Sequence, residues 1–222
     1  MNKEKTVWMS DAMHDSTLIK AFTNVEIEAE LEAAGQVGSD PADRVVGDAM
    51  RRNKSGEPLP ANRFPQSLHV SRKGKRYSKL PEMFSAGGFW VVSAACAEIM
   101  GQFNLGKSSL YPVAFFQHDQ KTPIDGEYFY LNFGETLKAF DPDQTPNVRV
   151  YGLIKSPPTG FWEIPVNVVD GDVAINKSAL NGPDLWLDPS VPKKFFLSDD
   201  LVQALKKAKL TRRFKLKKCR IV

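Results

Sequence analysis

The stretch Phe195–Val222, FFLSDDLVQALKKAKLTRRFKLKKCRIV, decides how the rest of the chain is read. Phe195-Phe196-Leu197 is a short apolar run of the kind a buried strand shows. Ser198 then stands where a helix N-cap belongs, and Leu201, Val202 and Leu205 fall at offsets 3, 4 and 7 from it, one face of a helix. Leu210 and a turn follow. From Phe214 to Ile221 apolar residues alternate with Lys and Arg, the spacing of a strand with one wet face. The same order stands earlier in the chain. Trp90-Val91-Val92 precede Ser93, Cys96, Ala97 and Met100 repeat the helical offsets, Leu105 matches Leu210, and Leu110–Phe116 supplies a closing strand. This pattern predicts an α+β fold of mixed, largely antiparallel sheets with a few short helices and an internally duplicated strand-helix-strand module. Each serine oxygen can accept from the unpaired amides of the first helical turn, worth about 1 kcal/mol. The nucleophile-elbow pattern G-x-S-x-G is absent around both, so they read as caps.

Outward from these modules, Lys5–Met9 is a strand candidate, and Thr23–Ala34 fits either a helix or, over Val25–Glu28, a strand. SDPADRVVGDAMRRN predicts a short helix with Asp40 as N-cap and Pro41 at its first position. NKSGEPLPANRFP (53–65) has loop composition and marks the expected boundary between an N-terminal segment, 1–65, and a main domain, 66–222, the two packing as one unit. Between the modules the chain reads mainly β. GEYFYLNF (126–133) is a strand, NVRVYGLI (147–154) extends, and FWEIPVNVVDGDVAIN (161–176) predicts a hairpin about Asp170-Gly171.

Composition sets limits on function. The 222 residues carry a net charge of +4, with 42% hydrophobic residues, and no run approaches the roughly 18 apolar residues of a membrane span. The first residues, MNKEKTVWMSDAMHD, lack an apolar signal core, so a cytoplasmic location is expected. Cys96 and Cys219 sit among apolar neighbours and read as buried thiols. Residues 193–222 hold eleven Lys or Arg against Asp199 and Asp200, a balance of +9, so residues 1–192 sum to −5. A basic end can serve nucleic acid. Its alternation with apolar residues favours a solvated strand face instead.

Chemistry-bearing patterns are sparse. His14, His69 and His118 are far apart and none has a partner at metal-helix spacing. Asp119, Asp125, Asp141 and Asp143 stand beside Pro, Gly or turn residues, the ordinary composition of turns. GQFNLGKS (101–108) formally satisfies the phosphate-loop pattern, but it ends a helix, where the dipole favours cations. Gly106 is expected to stop that helix, with Lys107 beside its C-terminus. No catalytic, cofactor-binding or metal-binding residue is assigned. Arg72, Lys73, Lys75 and Arg76 surround Gly74 in an exposed turn and are the candidates for partner contact.

FWVVSAACAEIMGQFNLG (89–106), YPVAFF (111–116), EYFYLNF (127–133), Asp141, DLWLDP (184–189) and FFLSDDLVQALKKAKLT (195–211) together resemble the eleventh immunity-protein family of bacterial polymorphic toxin systems. The resemblance covers Leu68–Val222 and is strongest in the last 40 residues. Family members often have Gly after the leucine that closes the final helix; this chain has Leu210-Thr211, against Leu105-Gly106 in the first module. The resemblance implies an antidote that binds a cognate toxin domain without covalent chemistry and occludes its site, with no cofactor and no membrane. Two other readings remain open. One is a nucleic-acid module using the basic segment 206–220 and the turn at 72–79. The other is a small nucleotide-binding or hydrolytic protein using GQFNLGKS. Edge strands leave the oligomeric state open.

Overall fold

Side-chain alternation along one central strand organises the molecule. In the computed structural model, which describes residues 5–24, 27, 45–150, 161–165 and 167–222, the stretch Phe89–Ser93 is extended. Phe89 and Val91 point into one apolar cluster, Trp90 and Val92 into another. Period-2 geometry thus makes this strand a wall between two cores.

The first half of the chain runs β1 (Val7–Ser10), β2 (Ile19–Lys20), β3 (Phe22–Thr23), α1 (Val45–Lys54), β4 (Ser67–Val70), β5 (Met83–Ala86), β6 (Phe89–Ser93) and α2 (Ala94–Met100). There follow β7 (Ser109–Phe116), β8 (Tyr128–Asn132), β9 (Arg149–Val150), β10 (Trp162–Glu163) and β11 (Ala174–Ile175). The chain closes with β12 (Leu185–Trp186), β13 (Phe195–Ser198), α3 (Asp199–Lys207), β14 (Leu216–Lys218) and β15 (Arg220–Ile221). The expected α+β architecture is the one observed.

Seven strands form one sheet in the order β2-β5-β6-β8-β7-β4-β3. β2 and β3 lie at opposite ends of that order, yet only Ala21 separates them in sequence. The peptide 19–23 therefore spans from one end of that order to the other and draws the two edges of the sheet together. Ser71 N donates to Ala21 O at 3.0 Å at the seam. In the apolar cluster on one face of this sheet, Phe84, Phe115 and Tyr128 meet in tilted and edge-to-face pairs at 5.4–5.8 Å.

Four strands, β12-β13-β1-β14, form the second sheet, and every pair in it is antiparallel. Trp8, Phe195 and Leu197 face the shared core with Cys96, Met100, Leu201 and Leu205 of α2 and α3. Met9, Phe196 and Trp186 face a third cluster on the far side, where Trp186 stacks on Phe196 at 5.7 Å. Both helices are thus held between the seven-stranded sheet and the small sheet.

The two serine-started units recur locally. Ser93 (φ −69, ψ 160) and Ser198 (φ −65, ψ 158) share extended backbone and cap their helices by accepting from Cys96 N at 3.5 Å and Leu201 N at 3.2 Å. Each unit also places its two strands on either side of one antiparallel strand, β8 between β6 and β7, β1 between β13 and β14. Beyond strand, cap, helix and strand order the units differ in helix length and sheet size, and the expected internal duplication of a strand-helix-strand module is not shown.

Several expectations need correction. α2 stops at Met100 with Gly101 as C-cap, so Gly106 does not end the helix. The predicted strand Phe214–Ile221 begins only at Leu216, because Phe214 closes a turn onto Thr211 O and Lys215 adopts φ +50. Among the described residues no hairpin forms about Asp170-Gly171: β10 pairs with β9, and β11 pairs in parallel with β15. Asp170 instead accepts Lys218 N at 2.8 Å, and Gly171 N donates to Lys218 O. The first strand starts at Val7 rather than Lys5 and runs to Ser10. The 53–65 loop begins inside α1 and is fastened, since buried Leu59 offers its carbonyl to both Asn132 Nδ2 and Tyr111 Oη. Asp40, Pro41, residues 28–34 and residues 151–154 lie outside the described residues.

Candidate functional site

Ser93, Ser198 and the phosphate-loop pattern are engaged by the fold. Ser198 Oγ, besides capping α3, donates to Asp184 Oδ1, while Asp184 Oδ2 accepts Asn104 N at 2.8 Å. This carboxylate ties the loop after α2 to the start of α3, and its partners are hydroxyl and amide. Neither serine has an imidazole among its hydrogen-bond partners in the described residues.

The phosphate-loop pattern is occupied by a carboxylate. Lys107 N donates to Glu135 Oε2 at 3.0 Å, and a Cβ on Gly106 (φ +60) would sit 2.4 Å from the same oxygen. An anion already fills the place a phosphate would need, and a second one would be repelled.

Asp119 and Asp141 serve turns, and His14 and His118 contact nearby polar groups. Asp119 accepts Lys121 N, Thr122 N and Thr122 Oγ1, which holds its carboxyl down at about 2. Asp141 accepts Gln144 N at 3.0 Å. His118 Nδ1 lies 2.9 Å from Val70 O, and His14 lies 3.2 Å from Asp11. No group of three metal-ligating side chains occurs among the described residues. Both thiols are buried, and burial pushes Cys96 up to about 11 and Cys219 further, so neither offers a thiolate.

What the fold does assemble is a basic face. Residues 71–76 form an exposed turn leaving β4 beside Ala21, with Arg72, Lys73, Lys75 and Arg76 all at the surface and Lys75 Nζ 5.3 Å from the Tyr77 ring. From the other direction, the turn 211–215 is laid on the N-terminal segment. Ser10 Oγ donates to Phe214 O, Asp11 N donates to Lys215 O at 3.2 Å, and Lys215 Nζ reaches Asp15 at 3.1 Å. Lys20 stands where the two turns converge. Its proton affinity is lowered by burial first and then by Arg213 and Lys75, with Asp15 acting weakly the other way. Its ammonium donates to Thr17 O at 2.9 Å, and no carboxylate lies within ion-pair range of it among the described residues. The turn at 71–76 adjoins Ala21 and the turn at 211–215 adjoins Ser10, Asp11 and Asp15, so both lie against the segment that carries Lys20. Sequence reading found the turn and the tail but missed Lys20, because its place depends on how the 19–23 peptide closes the sheet.

The fold is of the mixed α+β class, and its buried Asp188 and Asn132 both bond the backbone. The model of the immunity protein family (Imm11) matches residues 12–219, nearly the whole chain, and the chain belongs to that family. The match begins well before Leu68, where the likeness in sequence had been placed, and takes in β2 and β3. No curated protein matches the chain. No helix among the described residues is long and apolar enough to cross a membrane.

Proposed function

We propose that this protein is the antidote to a cognate secreted bacterial toxin, acting in the cytoplasm by binding the toxin domain and covering its site without covalent chemistry. Membership of the immunity protein family carries the reading. The engagement of Ser93, Ser198, Asp119, Asp184 and Glu135 in hydrogen bonds to the fold supports it, since a stoichiometric binder needs a rigid surface and no reactive centre. We further propose that residues 1–65 and 66–222 fold as one unit, because β1 lies between β13 and β14. The turn at Arg72, Lys73, Lys75 and Arg76 belongs to the contact surface in this reading.

The test is co-expression with the toxin domain encoded by the adjacent gene. A stoichiometric complex on gel filtration, with growth restored in proportion to antidote dose, is expected. Protection at far below one antidote per toxin would mean turnover and would overturn the reading. The convergence of two basic segments also keeps a nucleic-acid role in view. That role predicts binding to a generic duplex that collapses between low and moderate salt.

A further inference from the structure

Among the described residues, surface arginines are paired in one region and unpaired in another. Along and beside α1, Arg51 and Arg52 reach Asp48, Arg52 also reaches Glu57, and Arg63 comes back to Asp48 at 2.8 Å. Arg220 is held by Gln144 and by the Gly171 carbonyl. Around Lys20 the pattern reverses. Among the described residues no carboxylate lies within ion-pair range of Arg72, Lys73, Lys75, Arg76, Arg212 or Arg213.

The two turns that carry these cations are fixed by the backbone. Gly74 takes φ +83 and Lys75 N donates to Arg72 O at 3.2 Å, which folds the first turn back beside Ala21, where Ser71 N is bonded. Phe214 is fully buried, its amide donates to Thr211 O and its carbonyl accepts Ser10 Oγ, so Arg212 and Arg213 ride on a pinned turn. Lys20 has both Arg213 and Lys75 in Coulomb range as like charges. The carboxylate that opposes them is Asp15, which acts on Lys20 less than either and is already bonded by Lys215 Nζ, Thr17 N and Thr17 Oγ1. Asp119, which Arg76 influences weakly, accepts three donors of its own turn. Like charges at this range repel, and Lys20 and Arg213 are half-buried, where water screens them less. An anionic partner removes that cost. The aromatic side chain that follows the turn favours a protein over a nucleic acid: Tyr77 is stacked on Phe22 at 5.4 Å with Lys75 Nζ over it at 5.3 Å, so its ring is engaged and not offered to a base.

We propose, resting on the antidote reading, that Lys20, Lys75 and Arg213, with Arg72 on the same turn as Lys75, form the docking surface for a cluster of carboxylates on the toxin domain. Charges placed in this way steer the encounter and exclude partners of the wrong sign more than they add to affinity. The matching toxin face is therefore rich in Asp and Glu, and the complex forms more slowly as salt rises.

Stopped-flow association of the co-encoded toxin domain at several salt concentrations tests this. The proteins are wild type, the charge-reversal pair Lys75→Glu/Arg213→Glu, the neutral pair Lys75→Gln/Arg213→Gln, and Lys138→Glu, an exposed reversal outside both turns. At low salt the reversal pair should associate at least about 30-fold more slowly and the neutral pair about 5-fold more slowly, with dissociation changed by less than about 3-fold. Both pairs should also flatten the salt dependence. Lys138→Glu should change association by less than about 2-fold, since it lies outside the contact. A neutral pair that melts like wild type and associates at the wild-type rate overturns the proposal and leaves the antidote reading standing. A wild-type rate that does not fall with salt, or a Lys138→Glu effect as large as that of the reversal pair, does the same. Absence of a complex with wild type overturns the antidote reading itself. Wild-type binding to a generic DNA duplex that both pairs lose, with toxin association unchanged, assigns the face to nucleic acid and overturns the proposal.

Discussion

Replacing the two capping serines separates a structural role from a chemical one, because the fold loads them unequally. Ser93 Oγ makes one cap bond, and at 3.5 Å it is long. Ser198 Oγ accepts Leu201 N at 3.2 Å and also donates to the Asp184 carboxylate. A cap lost to Ala costs about 1 kcal/mol, less where the bond is stretched, and a hydrogen bond to a charged group adds about 1.5 kcal/mol. Ser93→Ala should therefore lose about 0.5 kcal/mol and Ser198→Ala about 2.5 kcal/mol. With a urea dependence of about 2 kcal/mol per molar, the unfolding midpoint falls by about 0.3 M in the first variant and about 1.2 M in the second. Ser198→Thr keeps a hydroxyl and should recover most of the difference. Coupling between Ser198→Ala and Asp184→Ala, measured as a double-mutant cycle, should be about 1 kcal/mol or more. Toxin protection at a temperature where every variant is folded stays at the wild-type level. A Ser198→Ala protein of undiminished stability that no longer protects would mean the serine is reactive, and the account of the site would fail.

Other substitutions probe the scaffold that holds the surface. Asp188 is 2% exposed and accepts the amides of Ala139, Phe140 and Ser190 at 2.7–2.9 Å, so Asp188→Ala strands three donors and should cost about 4 kcal/mol, with Asp188→Asn milder, read by thermal unfolding. Gly88→Ala puts a methyl against Met50 at φ +85 and should cost about 2 kcal/mol, part of it restored by adding Met50→Ala. His14 has its proton affinity lowered from 6.5 by burial, then by Lys194, with Asp11 opposing and Lys193 adding to the depression. The unfolded chain then binds the proton more readily, so stability falls as pH drops through 6.5 towards the depressed value, and His14→Gln should flatten that part of a stability–pH curve.

Much of the small sheet and both helices were legible, since the apolar runs, the serines and the 3-4-7 offsets are local signals that the packing then honours. The alternation of Tyr128, Tyr130 and Phe129, Leu131 was likewise readable as a strand, though not that its two faces belong to different cores. What the sequence hid is long-range. The two-residue strands Ile19–Lys20 and Phe22–Thr23 carry no periodicity, and only their partners β5 and β4 make them strands. The Asp170-Gly171 pair has hairpin chemistry, but its flanks find better partners in β9 and β15. The exposed turn at Arg72–Arg76 was legible from composition. Its neighbour Lys20 was not, because their proximity follows from the sheet's closure.

Lys193 sets backbone strain against the contacts of its side chain. Its left-handed backbone, φ +62, strains a residue with a Cβ by about 1 kcal/mol or more, and glycine would relieve that strain. The neighbouring Lys194 is buried against Asp11 and anchors the loop from within. Lys193→Gly should therefore raise the urea midpoint of unfolding, and Lys193→Ala, which keeps the strain and loses the side chain, should not. A midpoint that falls in both variants would mean that the contacts of the lysine outweigh the strain of its backbone, and the strain argument would fail.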